Sequence, residues 1–260
     1  MNMVASEMGS FANGFLFVAN MLNTVTIDKL VVPDLVQAGN VAILDCQYTV
    51  LDDKFTLQWL FNGSEVYEWR PGTKPSVGGI LDGRLDVDYK VSNGSNREHH
   101  PLRIVQATPE LSGDYTCRIR HDSGANASIT ATMLVFSPES EFVLDVQHDG
   151  ANNNTLNIRC IARGLYPQPD LTLEYNHSPV AQQQRVWRSG GLFSAETYTR
   201  LRARRGRAVC RLQLPLAGYA AMRSYVPDNE TKNAPSDAPS RIYSSITLSV
   251  ATVTIGRIFR

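Results

Sequence analysis

The sequence predicts an all-β protein built as two β-sandwiches in tandem. Between Cys46 and Cys117 apolar and polar residues alternate around Cys46, Trp59 and Cys117. Short runs of strand character recur there at regular intervals, separated by Gly, Pro, Asn and Ser turns. The four cysteines of the 260-residue chain, at 46, 117, 160 and 210, fall into two local pairs, one in each half.

Residues 1–27 read as a leader or N-terminal arm. Phe15 to Leu22 (FLFVANML) is apolar enough for a weak signal peptide, although Glu7 precedes it and no Lys or Arg does. Lys29 to Val36 reads as the first strand, broken by Pro33 as an edge strand tolerates. Gly39-Asn40 turns into the next strand, where period two places Ala42, Leu44, Cys46 and Tyr48 on one face. The same rule groups Leu57, Trp59 and Phe61. Asn62-Gly63 is a tight-turn signal leading into Glu65 to Trp69. A Pro- and Gly-rich loop follows, then Arg84 to Tyr89, where Leu85, Val87 and Tyr89 alternate onto one face. Asn93-Gly94 turns back into Leu102-Arg103-Ile104. With Cys117 inward, Tyr115 and Ile119 are inward too, and Asp114, Thr116, Arg118 and Arg120 take the other face. Ser123-Gly124 turns into a closing strand from Ile129 to Phe136. This makes roughly nine strands, in a first domain spanning 28–137.

Ser137 to Ser140 is a short linker, and a second domain covers 141–222. Beyond it, 223–260 reads as a flexible stalk rich in Pro, Ser, Asn and Asp, then a moderately apolar tail. Ile242 to Phe259 is Ser/Thr-rich and interrupted by Arg257, which is short of a membrane span of about 20 apolar residues. Ser236-Asp237-Ala238 ahead of that tail loosely matches a lipid-anchor attachment signal. A secreted chain with an ordinary tail is the favoured expectation.

Hydrophobic residues at 43% and charged residues at 19% make a globular composition with enough apolar material for cores. The 25 basic and 25 acidic side chains balance, which argues against nucleic-acid binding, where a basic excess is the rule. No Cys-x-x-Cys pair suggests zinc. Cysteines in local pairs point instead to disulfides and an oxidising, extracellular destination. Six Asn-x-Ser/Thr sequons, at Asn62, Asn93, Asn126, Asn153, Asn176 and Asn229, read as glycosylation sites of a surface chain.

The set Cys46, Trp59, Gly113-Asp114-Tyr115-Thr116-Cys117 resembles the variable set of the immunoglobulin superfamily. The resemblance implies a Cys46–Cys117 bridge between the sheets with the Trp59 indole packed on it, and Tyr115 in the core. The 71-residue cysteine spacing suits the variable type. One departure stands out: the family places an Asp four residues before the Tyr, paired with an Arg such as Arg84. Leu111 is there instead, leaving the ion pair absent or remade by Glu110. Around Cys160, Arg159 to Pro167 resembles the second strand and Tyr-Pro turn of a constant-like domain, implying a Cys160–Cys210 bridge. Here the likeness thins: Leu173 stands where the core Trp belongs, and Ala208 where the Tyr belongs. The expected fold is thus two immunoglobulin-like β-sandwiches in tandem, variable-type then degenerate constant-like.

Among two-domain members, the chain is similar to the arthropod beaten-path (Beat) family. That likeness rests on Trp59 with Asn62-Gly63-Ser64-Glu65-Val66-Tyr67, the Leu-Ser-Gly approach to Cys117, and the second domain lacking its Trp. It implies a cell-surface or secreted extracellular protein of neurons or epithelia. It would recognise a different immunoglobulin-superfamily receptor, heterophilically, in cell–cell contact or axon guidance. The alternative is a soluble immune-type or glycan-binding protein.

The expected partner surface is the outer face of the sheet containing Trp59, Tyr67 and Cys117, presenting Gln58, Tyr67, Glu68, Thr116, Arg118 and Arg120. Exposed aromatics and Arg anchor interfaces well, although Tyr67 and Trp69 packing inward is an equal alternative. The densest charge run is Arg200, Arg202, Arg204, Arg205, Arg207 and Arg211. Its sharp readings are a patch for sulfated glycans or anionic lipid headgroups at Arg202, Arg204, Arg205 and Arg207, or proprotein cleavage at Arg202 to Arg205. Its plain reading, a solvated turn, is favoured. His99-His100 offers no metal site, since no carboxylate-rich cluster adjoins it. No hydrolase elbow, zinc-peptidase motif or phosphate loop occurs, so no catalytic residue, metal or cofactor is expected. Membrane contact is expected only through a tail or lipid anchor.

Overall fold

The structure, a computed structural model, describes residues 25–91, 97–148, 154–202 and 206–227, and the backbone of 245–248. Most of the expected leader, the Asn93-Gly94 turn and most of the tail lie outside the described residues; Thr26 and Ile27, expected as the end of the leader, belong instead to the first strand. The chain divides into two compact units, one from 1–34, 41–106 and 113–133, the other from 35–40, 107–112 and 134–260. No α-helix occurs among the described residues.

Among the described residues the first sandwich has nine strands: β1 (Thr26–Val31), β2 (Leu35–Gln37), β3 (Ala42–Thr49), β4 (Phe55–Phe61), β5 (Ser64–Trp69), β6 (Ser76–Val77), β7 (Leu102–Ile104), β8 (Gly113–His121) and β9 (Asn126–Phe136). One sheet runs β1-β3-β7 and the other β2-β9-β8-β4-β5-β6. The single first strand expected over Lys29 to Val36 is in fact two. β1 pairs antiparallel with β3, and β2 pairs parallel with β9. Pro33 lies at the break, where a residue without an N–H cannot continue a ladder.

A strand expected over Arg84 to Tyr89 does not form. Leu85 makes one isolated bridge to Ile104. Then the Tyr89 N–H turns back to the Asp86 carbonyl at 3.2 Å, and Val87 is left 45% exposed. Asp86 accepts from Arg103 at 2.9 Å, and the Arg103 guanidinium covers the Tyr89 ring. These contacts favour a turn over an extended run.

Cys46 and Cys117 form a disulfide, and Trp59 is the direct cross-strand neighbour of Cys117. Leu44, Leu57, Trp59, Ile104, Tyr115 and Ile119 are fully buried around the bridge. The indole N–H donates to the His100 carbonyl at 3.2 Å, and the Tyr67 hydroxyl donates to the His99 carbonyl at 2.7 Å. The histidine pair is therefore a buried brace. Trp69 lies edge-on to the His99 ring, and His100 Nδ1 is 2.6 Å from Asp45 Oδ1. Burial disfavours the Asp45 charge, but the close His100 ring, the Gln47 amide and the Cys46 N–H outweigh it and hold the carboxyl below its ordinary value.

The second sandwich comprises β10 (Glu141–His148), β11 (Thr155–Leu165), β12 (Asp170–Tyr175), β13 (Ser178–Pro179), β14 (Gln183–Ser189), β15 (Leu192–Arg202), β16 (Ala208–Leu214), β17 (Tyr219–Tyr225) and β18 (Ser245–Leu248). Its sheets run β10-β11-β15-β14 and β13-β12-β16-β17-β18. Four strands facing a sheet centred on β12-β16-β17 is the constant-type arrangement. Cys160 and Cys210 are bridged. Leu173 is the cross-strand partner of Cys210, as Trp59 is of Cys117, and Leu156, Ile158, Leu171 and Leu212 complete its surroundings. The stretch expected as stalk differs in two places. β17 runs on to Tyr225, and β18 pairs antiparallel with the outer edge of β17.

Trp59→Ala is expected to cost about 3–5 kcal/mol and Leu173→Ala about 2–5 kcal/mol, read as shifts in urea midpoint. Because the folded-state value of Asp45 is depressed, its contribution is present above the ordinary carboxylate range and lost as pH falls through the lower folded value. Urea unfolding at pH 6 and pH 3 should therefore show a smaller acid-induced loss for Asp45→Asn than for the parent.

Candidate functional site

The outer face of the six-stranded sheet follows from the register of β4. With Leu57, Trp59 and Phe61 inward, Thr56, Gln58 and Leu60 face outward and pair with Arg120, Arg118 and Thr116 of β8. β8 in turn sets Arg120, Arg118, Thr116 and Asp114 beside Asn126, Ser128, Thr130 and Thr132 of β9. On the other side, Gln58 and Leu60 oppose Glu68 and Glu65 of β5. The face thus has an acidic margin, a central glutamine, a basic pair and a hydroxyl ladder. Thr116 and Thr130 share a hydrogen bond of 2.8 Å, and Thr132 donates to Asp114 at 2.6 Å.

Gln58 organises this surface. Its Nε2 donates to Glu65 at 2.7 Å and to Glu68 at 3.0 Å, so one amide holds two carboxylates that would otherwise repel. Arg70 adds a longer ion pair to Glu68 at 3.8 Å. Among the described residues, Gln58 Oε1 has no hydrogen-bond partner.

Of the six residues expected to present themselves to a partner, Glu68, Thr116 and Arg118 are half-buried and Arg120 is exposed. The other two need correction. Gln58 points outward but is only 4% exposed, because Glu65 and Glu68 fold over it. Tyr67 is 4% exposed and points inward. A register shift between Trp59 and Leu60 leaves Val66 as an extra residue and sets Tyr67 opposite Trp59. Burial pushes the Tyr67 phenol well above its ordinary value. Trp69 is buried by the same parity.

At the Arg120 end of the face, two loops are fastened by a chain that sequence reasoning missed. Asp52 Oδ1 is 2.9 Å from His121 Nε2, and Ser123 Oγ is 2.8 Å from His121 Nδ1. The partners are 69 residues apart, so spacing gave no signal. The Lys54 backbone N–H first, and His121 second, hold the Asp52 carboxyl below its ordinary value. The residue types are those of a hydrolytic relay, but the Ser123 backbone N–H also donates to His121 Nδ1, at 3.1 Å. The nitrogen that would take a serine proton is already accepting. The chemistry is that of a loop clasp.

The arginine run is dispersed. Arg200 and Arg202 lie on β15 opposite Asn157 and Thr155, on the outer face of the four-stranded sheet. Arg211 belongs to the opposite sheet and pairs with Glu174 at 2.8 Å. Arg207 precedes β16, its backbone N–H bonded to Asn176. Arg204 and Arg205 lie outside the described residues, as do Asn93, Asn153 and Asn229. Asn62, Asn126 and Asn176 are exposed. Among the described residues no group of three or more His, Cys, Asp or Glu side chains could hold a metal.

The immunoglobulin domain family matches residues 33–129. No curated protein matches the chain. Among solved structures the chain is similar to bovine butyrophilin, at 18% identity and a TM-score of 0.61, over 75% of this chain and 94% of that one. It is similar to the mouse nectin-like molecule 4 ectodomain, at 20% identity and 0.53, over 75% of this chain and 65% of that one. It is also similar to the amphioxus IgVJ-C2 molecule, at 18% and 0.52, over 74% and 97%. At such identities the likeness speaks for the fold. The chain is a tandem of two immunoglobulin-like sandwiches, and the match to the immunoglobulin domain family falls on the first of them.

Proposed function

We propose that this chain is an extracellular recognition protein, organised as domains over 28–137 and 141–222. Its first domain binds another immunoglobulin-superfamily surface receptor through the outer face of the six-stranded sheet. The observation that carries this reading is the charge layout of that face. Glu65 and Glu68 line one side of Gln58, and Arg118 lies directly opposite it on β8 with Arg120 beside Thr56. A partner with basic groups against the glutamates and acidic groups against the arginines would satisfy it. Such complementarity confers specificity and speeds encounter. Weak contacts of this kind gain strength when several copies act together on a membrane.

Two disulfides and six sequons support passage through the secretory pathway, as a glycoprotein that is secreted or held at the surface by its tail or a lipid anchor. The narrower reading, a heterophilic partner in axon guidance, rests on the beaten-path likeness of Trp59, Asn62 to Tyr67 and the Trp-less second domain alone. The sulfated-glycan alternative loses support from the dispersal of the arginines, with Arg211 neutralised by Glu174.

The test is a binding screen of the secreted, multimerised full chain against cell-surface immunoglobulin-superfamily ectodomains, with heparin as competitor. A protein partner resistant to heparin should be found. Its affinity should fall about tenfold or more when Arg118→Glu and Arg120→Glu are combined, while Arg202→Glu leaves it unchanged. Binding to heparin alone, abolished by Arg204→Ala with Arg205→Ala, would overturn the reading.

A further inference from the structure

Two turns, one in each sandwich, are built alike. Asn62 follows β4 and Asn176 follows β12, each opening a two-residue reversal: Phe61 pairs with Ser64, and Tyr175 with Ser178. Both residues of each turn have positive φ: 48° and 82° at Asn62-Gly63, 46° and 66° at Asn176-His177. Asparagine tolerates that conformation better than most side chains.

Each asparagine then reaches across to the start of the segment carrying the second cysteine. The Asn62 N–H donates to the Asp114 carbonyl at 2.9 Å, and the Asp114 N–H donates back to Asn62 Oδ1 at 2.9 Å. The Asn176 N–H donates to the Arg207 carbonyl at 2.9 Å, and the Arg207 N–H donates back to Asn176 Oδ1 at 3.0 Å. The residue before each partner is a glycine. A Cβ on Gly113 would lie 2.6 Å from Asn62 Oδ1, and one on Gly206 would lie 2.5 Å from Asn176 Oδ1. Neither glycine has positive φ. Room for the asparagine amide and for the aromatic ring before it, Phe61 or Tyr175, rather than backbone freedom, is what requires glycine there.

Both asparagines also head sequons, Asn62-Gly63-Ser64 and Asn176-His177-Ser178. With Oδ1 committed to the backbone, the remaining capacity is on Nδ2. Asn62 is exposed, and among the described residues its Nδ2 makes no hydrogen bond, whereas the Asn176 side chain is crowded by the Tyr175 hydroxyl, which occupies the same space beside Gly206. We propose that Asn62 and Asn176 are two copies of one device, a clasp whose Oδ1 fastens the turn to the cysteine-bearing strand, and that Asn62 in addition carries an N-linked oligosaccharide on Nδ2. The transfer forms a bond from Nδ2 to the first sugar's C1. It breaks the C1–O bond to the pyrophosphate of a polyprenyl-linked oligosaccharide donor, and Nδ2 loses one proton as the pyrophosphate departs. The clasp leaves the bonded Oδ1 undisturbed and fixes the direction of the sugar. The oligosaccharide then covers the Asp114 end of the proposed recognition face and leaves the Arg118–Arg120 end open. The sugar rests on the extracellular reading; the clasp does not.

The full chain and four variants, secreted from eukaryotic cells, supply the test. Site occupancy is read by peptide mass spectrometry after enzymatic release in heavy-oxygen water, and stability by thermal melting. Asn62 should be occupied in the parent. Asn62→Gln and Ser64→Ala both remove the sequon, but only the first removes the clasp, so it should melt about 4–8 °C below the second. The same order is expected of Asn176→Gln below Ser178→Ala. Equal melting within either pair overturns the clasp. An empty Asn62 beside an occupied Asn126 overturns the sugar alone. Empty sequons throughout overturn the sugar and the glycoprotein reading together, with the clasp still decided by melting.

Discussion

The cross-strand pairing of Trp59 with Cys117 sets the first sandwich. Side chains on a strand alternate between faces, so this one pair decides the destination of every residue on β4 and β8. With the indole against the disulfide, Leu57 and Phe61 must enter the core, and Gln58 must face Arg118 on the outside. A slip of one residue would expose the Trp and bury the arginines, at a cost no local contact could offset. The polar layout of the outer face is therefore a consequence of core packing. The second sandwich obeys the same rule with less material, since Leu173 against Cys210 fills the same place with a smaller side chain.

Much of this was legible because parity needs only one anchor. Cys46, Trp59 and Cys117 were enough to place Leu44, Tyr48, Leu57, Tyr115 and Ile119 inward and Thr116, Arg118 and Arg120 outward. The two-residue turn at Asn62-Gly63 was equally plain. Parity fails wherever a residue is inserted. Val66 in β5 is such an insertion, and it reverses the face on which Tyr67 lies. Nothing in Glu65 to Trp69 marks it, because Val66, Tyr67 and Trp69 are apolar or aromatic and offer residues for the core in either register. Arg84 to Tyr89 misled for another reason: alternation there reflects a turn held by the Asp86 and Arg103 charges, which a period-two pattern does not register. The loop partners Asp52 and His121 are brought together only by the fold.

Gln58 shows why burial and facing are separate questions. It points to the outside yet is covered, because its amide nitrogen is the hydrogen-bond donor between two carboxylates on the adjacent strand. Without that donor Glu65 and Glu68 would repel and splay into solvent. With it they form a compact acidic margin across Gln58 from Arg118. Charge-assisted hydrogen bonds hold such an arrangement more firmly than neutral ones, so the proposed recognition face is preformed, and less ordering would remain to be done on binding.

The two sandwiches differ in what they place against the disulfide, Trp59 in one and Leu173 in the other, yet they share the asparagine turn and the glycine facing it. Core volume can be filled by different side chains if neighbours adjust. The turn has no such latitude. Two successive residues at positive φ, a backbone N–H and carbonyl to satisfy on the neighbouring strand, and a side-chain oxygen short enough to reach that N–H leave few residue types that serve. A longer amide would overshoot, a carboxylate would add charge beside Asp114 in the first sandwich, and any side chain at Gly113 or Gly206 would collide with it. The turn the two domains share is accordingly a part with narrow stereochemistry, whereas the buried residue against each disulfide is free to differ.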